Sequence, residues 1–173
     1  MIKRLVKGIF ILFNYFKRFY HTFINKLRLK GYGNRTRVNN KSNLGTNTYL
    51  GNNCNFNGIN ILGKGKVVIG DNFHSGEECV FITSYHNYDY GSKIPYDETN
   101  VNKEIKINDN VWLGTRVIIL GGVELGEGCI IQAGSVVVSN IPKYGIAGGN
   151  PAKVFKYRDI EHYESLKEQG KFY

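Results

Sequence analysis

The sequence predicts an all-β solenoid of stacked three-sided coils, led by an amphipathic helix and closed by a short one. Three observations carry this. From residue 38 the apolar period is six, which is neither that of an amphipathic helix nor that of a half-buried strand. There are 21 Gly against 3 Pro and 1 Trp, a composition for tight repeated turns rather than long packed helices. With 42% hydrophobic and 21% charged residues, the 173-residue chain has one domain's worth of core and is not a disordered polymer.

The leading segment, residues 1–37, is basic and aromatic. Ile2, Leu5, Val6, Ile9, Phe13, Phe16, Phe19, Tyr20, Phe23, Ile24 and Leu27 recur at three- and four-residue intervals, with Lys3, Arg4, Lys7, Lys17, Arg18, Lys26, Arg28 and Lys30 between them. Its longest apolar run, Ile9 to Phe13, is far short of the roughly 20 residues a bilayer span needs, and no small-residue cleavage site follows. Residues 1–70 hold 13 basic and no acidic residues, while residues 71–173 hold 10 basic and 14 acidic, so the net +9 is concentrated at the front. Two readings stand for the helix. Either its aromatic face packs on the protein or on a neighbouring subunit, or it lies peripherally on an anionic membrane with residues 1–30. A single basic segment without a recognition motif does not point to nucleic acid.

The repeat, residues 38–150, places Val38, Leu44, Leu50, Phe56 and Leu62 six apart, slips by one, and resumes through Ile69, Ser75 and Phe81. It continues with Ile107, Leu113, Ile119, Leu125, Ile131 and Val137. The next position is often Gly, and the fourth is small or apolar, which takes in Cys54, Cys79 and Cys129. Those thiols therefore read as buried wall residues, and three unclustered Cys suggest neither a disulfide framework nor a zinc knuckle but a reduced, cytoplasmic setting. One hexad is a short strand plus a corner that cannot bury its face alone; stacked three to a coil, the hexads fill a narrow prism. Fourteen hexads give between four and five coils. Gly and Asn are expected to supply positive backbone angles at the corners.

The period fails between Phe81 and Ile107, so residues 85–104 form an excursion loop, and loops of that length in compact domains are usually functional. Its Tyr85, Tyr88, Tyr90 and Tyr96 suit stacking on sugar rings, or packing against an adjacent subunit. The tail, residues 151–173, contains DIEHYESLKEQG, a helix from about Asp159 to Gln169 ended by Gly170.

The stretch VWLGTRVIILGGVELGEGCIIQAGSVVVSNIPKYGIAGGNPAKVFKYR resembles the hexapeptide-repeat acyltransferases, within them the sugar O-acetyltransferases acting on galactosides, maltose, nodulation factors and surface polysaccharides. The resemblance covers roughly residues 38–158. It implies a left-handed parallel β-helix, an exception to the usual right-handed crossover. It also implies a homotrimer with sites between subunits, acetyl-CoA as co-substrate, and a saccharide acceptor. His86 matches the family's general base, and an imidazole suits removal of a proton from an attacking hydroxyl. Asp89, Glu77 and Glu78 are candidates to orient it, and His74 has the register for a supporting role. The oxyanion donor falls on the main chain at Gly114 or Thr115. Trp112, Thr115, Ala133 and Gly134 match the pantetheine path, and Lys153, Lys156 and Arg158 the phosphates. Asn57, Tyr85, Tyr88 and Asp89 are the acceptor-side residues. The related carbonic anhydrases need three zinc-binding His, but the repeat region holds only His74 and His86, so no metal is expected. The basic front, in place of the acidic-rich leader of free-sugar enzymes, shifts the expected acceptor toward a membrane-proximal saccharide of a surface polysaccharide or its precursor. N-acetylation of an amino sugar and a non-catalytic glycan-binding or scaffold prism are the alternatives.

Overall fold

A computed structural model of the chain describes residues 2–173. Helix α1, Ile2–Lys26, leads into a prism of three parallel sheets. The first face stacks Gly31–Tyr32, Thr48–Leu50, Val67–Ile69, Ile105–Ile107 and Glu124–Leu125. The second stacks Arg37–Val38, Asn55–Phe56, His74–Ser75, Trp112–Leu113, Ile130–Ile131 and Gly145–Gly149, with Ala152–Tyr157 added antiparallel at its end. The third stacks Ile59–Leu62, Cys79–Ile82, Ile118–Leu120 and Val136–Val137. Helix α2, Ile160–Glu168, closes the chain; Asp159 accepts the His162 N–H at its start, and Gly170 (φ 63°) follows its C-cap Gln169.

The register is set by coil length. Val38 lies beside Phe56, and Leu113 beside Ile131, each pair eighteen residues apart. Ser75 lies beside Leu113, thirty-eight apart, which is one coil plus a twenty-residue excursion. Six parallel strands on the second face make the stack taller than the four to five coils expected, with five spacings of about 4.8 Å, or about 24 Å. The extra coils come from both ends. The solenoid starts at Gly31 rather than at residue 38, and Ile141 and Ala147 extend it past Val137 under a weaker hexad signature.

The inward positions close over one another, with Phe56, Phe73 and Phe81 the largest fully buried side chains. Leu62 departs from the expected core, being 43% exposed while Ile61 is buried. The Asn57–Gly58 corner is one residue shorter than the regular ones, so the next strand arrives early and Ile59 and Ile61 face inward. Fourth-position thiols and hydroxyls bond to carbonyls nearby: Cys54 Sγ to Gly70 O at 3.3 Å, Cys79 Sγ to Gly114 O at 3.3 Å, and Thr48 Oγ1 to Leu44 O at 2.6 Å. This explains small residues with a donor inside an aliphatic prism.

The corners correct the expected use of glycine. The glycine after each inward apolar residue is there because coils approach closely. A Cβ at Gly76 would sit 2.4 Å from Thr115 N, and one at Gly126 would sit 2.3 Å from Lys143 N. The positive angle falls two residues later, on Asn110, Arg116, Gly122, Gly128 and Gly134, every sixth residue. Arg35, Glu78 and Tyr144 also adopt it. Side chains between the first and second faces form a ladder, Asn53 to Asn72 at 3.0 Å and Asn72 to Asn110 at 2.9 Å.

These two glycine roles separate by mutation. Arg35 is exposed at φ 57°, so Arg35→Gly relieves left-handed strain and should raise stability by about 0.5–1 kcal/mol. Gly126→Ala forces backbone apart and should lower stability by about 1–3 kcal/mol. Urea unfolding of the two variants measures both.

Candidate active site

The excursion leaves the prism between the third and first faces as an antiparallel hairpin, with Ser84–His86 paired to Asn100–Asn102. His86 opposes Asn100 at the root of the loop. Its ring is stacked on Tyr96, centroids 3.7 Å apart and planes 4° from parallel. The loop is closed by Asp97, which accepts from Thr99 Oγ1 at 2.5 Å and from the Thr99 and Ser92 N–H groups at 2.8 Å each. The Thr99 hydroxyl first, then these amides, hold its carboxyl down at about 2. Tyr85 and Tyr88 pack at 5.7 Å with Lys103 Nζ 5.2 Å from the Tyr85 ring. Asp89 is exposed on the same hairpin.

Asn57, Gly114, Thr115, Ala133 and Gly134 all lie on a different corner, between the second and third faces. Coils stack here through Arg116 N to Glu77 O and Gly134 N to Thr115 O, both 2.8 Å. The Gly114 N–H donates to Ile131 O at 2.8 Å and is committed to the ladder, so Gly114 is not the free donor. The Thr115 N–H has no acceptor among the described residues. Glu78 pairs with Arg116 Nε at 2.7 Å, and Glu77 lies within 3.5 Å of Asn40 Nδ2. Both carboxylates therefore belong to the Thr115 corner, and of the three expected orienting groups only Asp89 shares the hairpin with His86. The third face, three to four residues wide and so roughly 10–13 Å, separates His86 from Thr115 within one chain.

The remaining expected residues divide further. Trp112, Lys156 and Arg158 line a cavity of about 600 Å³ on the second face, with His74 and Tyr173. Lys153 and Lys156 are exposed and in no ion pair among the described residues. Arg158 is tied down: its Nε donates to Gly128 O at 2.5 Å and its guanidinium covers the Tyr163 ring at 5.4 Å, pinning α2 to the prism. The His74 ring packs on Tyr173 at 5.3 Å with Nε2 buried and unpartnered among the described residues, and burial holds its pKa below the ordinary imidazole value. Asn57 Nδ2 donates to Ser75 O at 2.7 Å, and its Oδ1 accepts from Asn39 at 2.8 Å. With Asn40, Glu77 and Lys17 it lines a second cavity of about 620 Å³. The Tyr96 platform under His86 was not legible as such, since sequence gives the tyrosines of the loop but not which one meets the ring.

With this geometry in hand, the comparisons are consistent. Residues 104–139 match the model of the bacterial transferase hexapeptide family (six repeats). A candidate acetyltransferase of Saccharomyces cerevisiae is 39% identical over 113 residues, 65% of this chain and 57% of that protein. A hexapeptide-repeat acetyltransferase of Vibrio cholerae, solved with acetyl coenzyme A, superposes with TM-score 0.65 at 26% identity, covering 78% of this chain and 74% of that one. A maltose O-acetyltransferase of Clostridium difficile gives TM-score 0.60 at 32% identity, covering 74% and 66%. The fold is a three-sided β-helix like that of these solved acetyltransferases. In its repeat and its fold the chain is similar to the hexapeptide-repeat acyltransferases. It spans little more than half the length of the curated relatives it matches.

All three thiols are free and buried, and desolvation pushes Cys54 and Cys129 up to about 12. None is placed or ionised for attack. In the native protein, a chromogenic disulfide reagent at neutral pH should therefore label no thiol on the timescale in which it labels all three after unfolding in guanidinium.

Proposed function

We propose that the protein transfers an acetyl group from acetyl-CoA to a hydroxyl of a saccharide, directly and without an acyl-enzyme, in a groove between two copies of the chain. One observation carries this reading: the imidazole and the free main-chain donor sit on different corners of one prism. Neighbouring prisms in a closed assembly, a homotrimer by family resemblance, bring one copy's hairpin against the next copy's Thr115 corner. His86, steadied by Tyr96, takes the proton of the acceptor hydroxyl as its oxygen attacks the thioester carbonyl. The Thr115 N–H receives the developing oxyanion. The tetrahedral intermediate then collapses, and the coenzyme A sulfur leaves with the proton carried on His86.

The donor lies toward the upper coils. Trp112, Ala133 and Gly134 flank the pantetheine arm, and Lys153 and Lys156 meet its phosphates as point charges. Arg158 acts by holding α2 in place. The acceptor lies toward the lower coils, where Asn40, Asn57 and Glu77 line a polar cavity, with Tyr85, Tyr88 and Asp89 of the neighbouring hairpin above it. The solved galactoside and maltose acetyltransferases of this fold support a sugar as acceptor.

Thr115→Pro tests the donor without disturbing the turn. Arg116 at φ 59° makes this a turn that accepts proline at its first central position, and the substitution removes the N–H. With acetyl-CoA and a panel of sugars and amino sugars, thiol release by Thr115→Pro should fall about 10²–10³-fold, and by His86→Ala about 10²–10⁴-fold. Wild-type rates in both variants would overturn the assignment.

A further inference from the structure

Helix α1 meets the prism with its polar side. Thr22 Oγ1 accepts the Val38 N–H at 2.9 Å, Lys17 Nζ reaches Asn40 Oδ1 at 2.8 Å, and the buried Asn25 both donates to Ser42 O at 3.3 Å and accepts from Leu44 N at 3.1 Å. Lys17, His21, Thr22 and Asn25 follow one stripe of the helix, which is the docking face. The opposite arc carries Ile9, Phe13, Phe16, Tyr20, Phe23 and Ile24, with Phe13 63% and Phe16 58% exposed. An amphipathic helix that docked for burial alone would turn the other way. This corrects the expectation that the aromatic face packs on the chain's own prism.

We infer that α1 is an interfacial helix that seats the protein on an anionic phospholipid bilayer. Charge selects this occupant. The helix carries Lys3, Arg4, Lys7, Lys17, Arg18 and Lys26 and no acidic residue, and none occurs before Asp71. Pairing the arc with a second copy's α1 would join two helices that carry six cations each with no acidic residue to offset them, whereas an anionic leaflet supplies the counter-charge around the helix. No helix among the described residues is long and apolar enough to cross a membrane, so the arc lies in the headgroup layer. The docking contacts all fall on the lowest coils, Val38, Asn40, Ser42 and Leu44, so the prism stands upright on its base. If the acyl-transfer reading holds, the acceptor cavity lined by Asn40, Asn57 and Lys17 is the end nearest the lipid, which suits a saccharide on a lipid carrier. Bilayer binding itself does not depend on that reading.

The test is flotation of the full-length protein with vesicles of phosphatidylcholine alone or of phosphatidylcholine with phosphatidylglycerol. The protein should float with the anionic vesicles and much less with the zwitterionic ones, and molar salt should release most of it. Lys3→Gln with Lys7→Gln should weaken partitioning by about fivefold per charge removed. Phe13→Ser with Phe16→Ser, which preserves charge and touches no docking contact, should abolish flotation at unchanged thermal midpoint. Three results would overturn the inference: full-length protein left in the soluble fraction with anionic vesicles at low salt, equal flotation by the Phe double variant, or a drop in oligomeric mass in that variant, which would place a second copy on the arc.

Discussion

Each strand of this protein is two to six residues long and finds its parallel partners only in the coils above and below it. Among the described residues, no strand pairs with its sequence neighbour until the hairpin and the tail. The structure therefore depends on bringing each strand back into phase with the coil below, at eighteen residues in the regular coils and nineteen or twenty where corners change length. When a corner loses a residue at Asn57–Gly58, the longer loop Gly63–Lys66 more than makes it up, so that coil runs nineteen residues and Leu50 lies beside Ile69. When the chain inserts twenty residues, it does so as a self-paired hairpin that returns to register, with Ile69 beside Ile107. Small inward side chains with a donor, and glycines where coils nearly touch, are what the stacking distance permits.

The same constraint arranges the chemistry. A residue keeps its corner from coil to coil, so residues eighteen apart share an edge, as Thr115 and Ala133 do. A hairpin inserted at another corner is on another edge whatever its length. The His86 imidazole and the unpartnered Thr115 N–H are separated by a face of the prism for this reason, and the proposed groove closes that gap with a second copy. Along the Thr115 edge the coils also give direction, with the free lysines of the tail at the top and the asparagine-lined cavity and α1 at the base.

Much of this was legible in the sequence because burial in a prism follows a fixed period. The capped tail segment predicts the short last helix, and the period of six predicts the inward residues, the buried cysteines and the excursion. It gave Leu62 instead of Ile61 because a one-residue change in corner length leaves no mark in composition. It undercounted coils because Tyr32, Ile141 and Ala147 belong to end coils where the signature thins. Glycine was read through its backbone angle, although at Gly76 and Gly114 the closeness of the next coil decides. In the site, His86 and the Thr115 edge came from resemblance, but which N–H is free depends on ladder bonds that no residue type reports. At Arg158 the charge is visible in sequence, whereas the bond from its Nε to the Gly128 carbonyl is not. The face that α1 turns to the prism was hidden too, since an amphipathic pattern gives two faces and does not say which one docks.

The claim that one functional groove needs two chains is open to a direct complementation measurement. Co-expressed His86→Ala and Thr115→Pro chains, each inactive alone, form mixed assemblies in which about a quarter of the grooves of a closed ring join an intact His86 to an intact Thr115. Acetyl transfer restored to about that fraction of the wild-type rate is the predicted result. Mixed assemblies verified by native mass spectrometry that stay as inactive as the single variants would contradict the account.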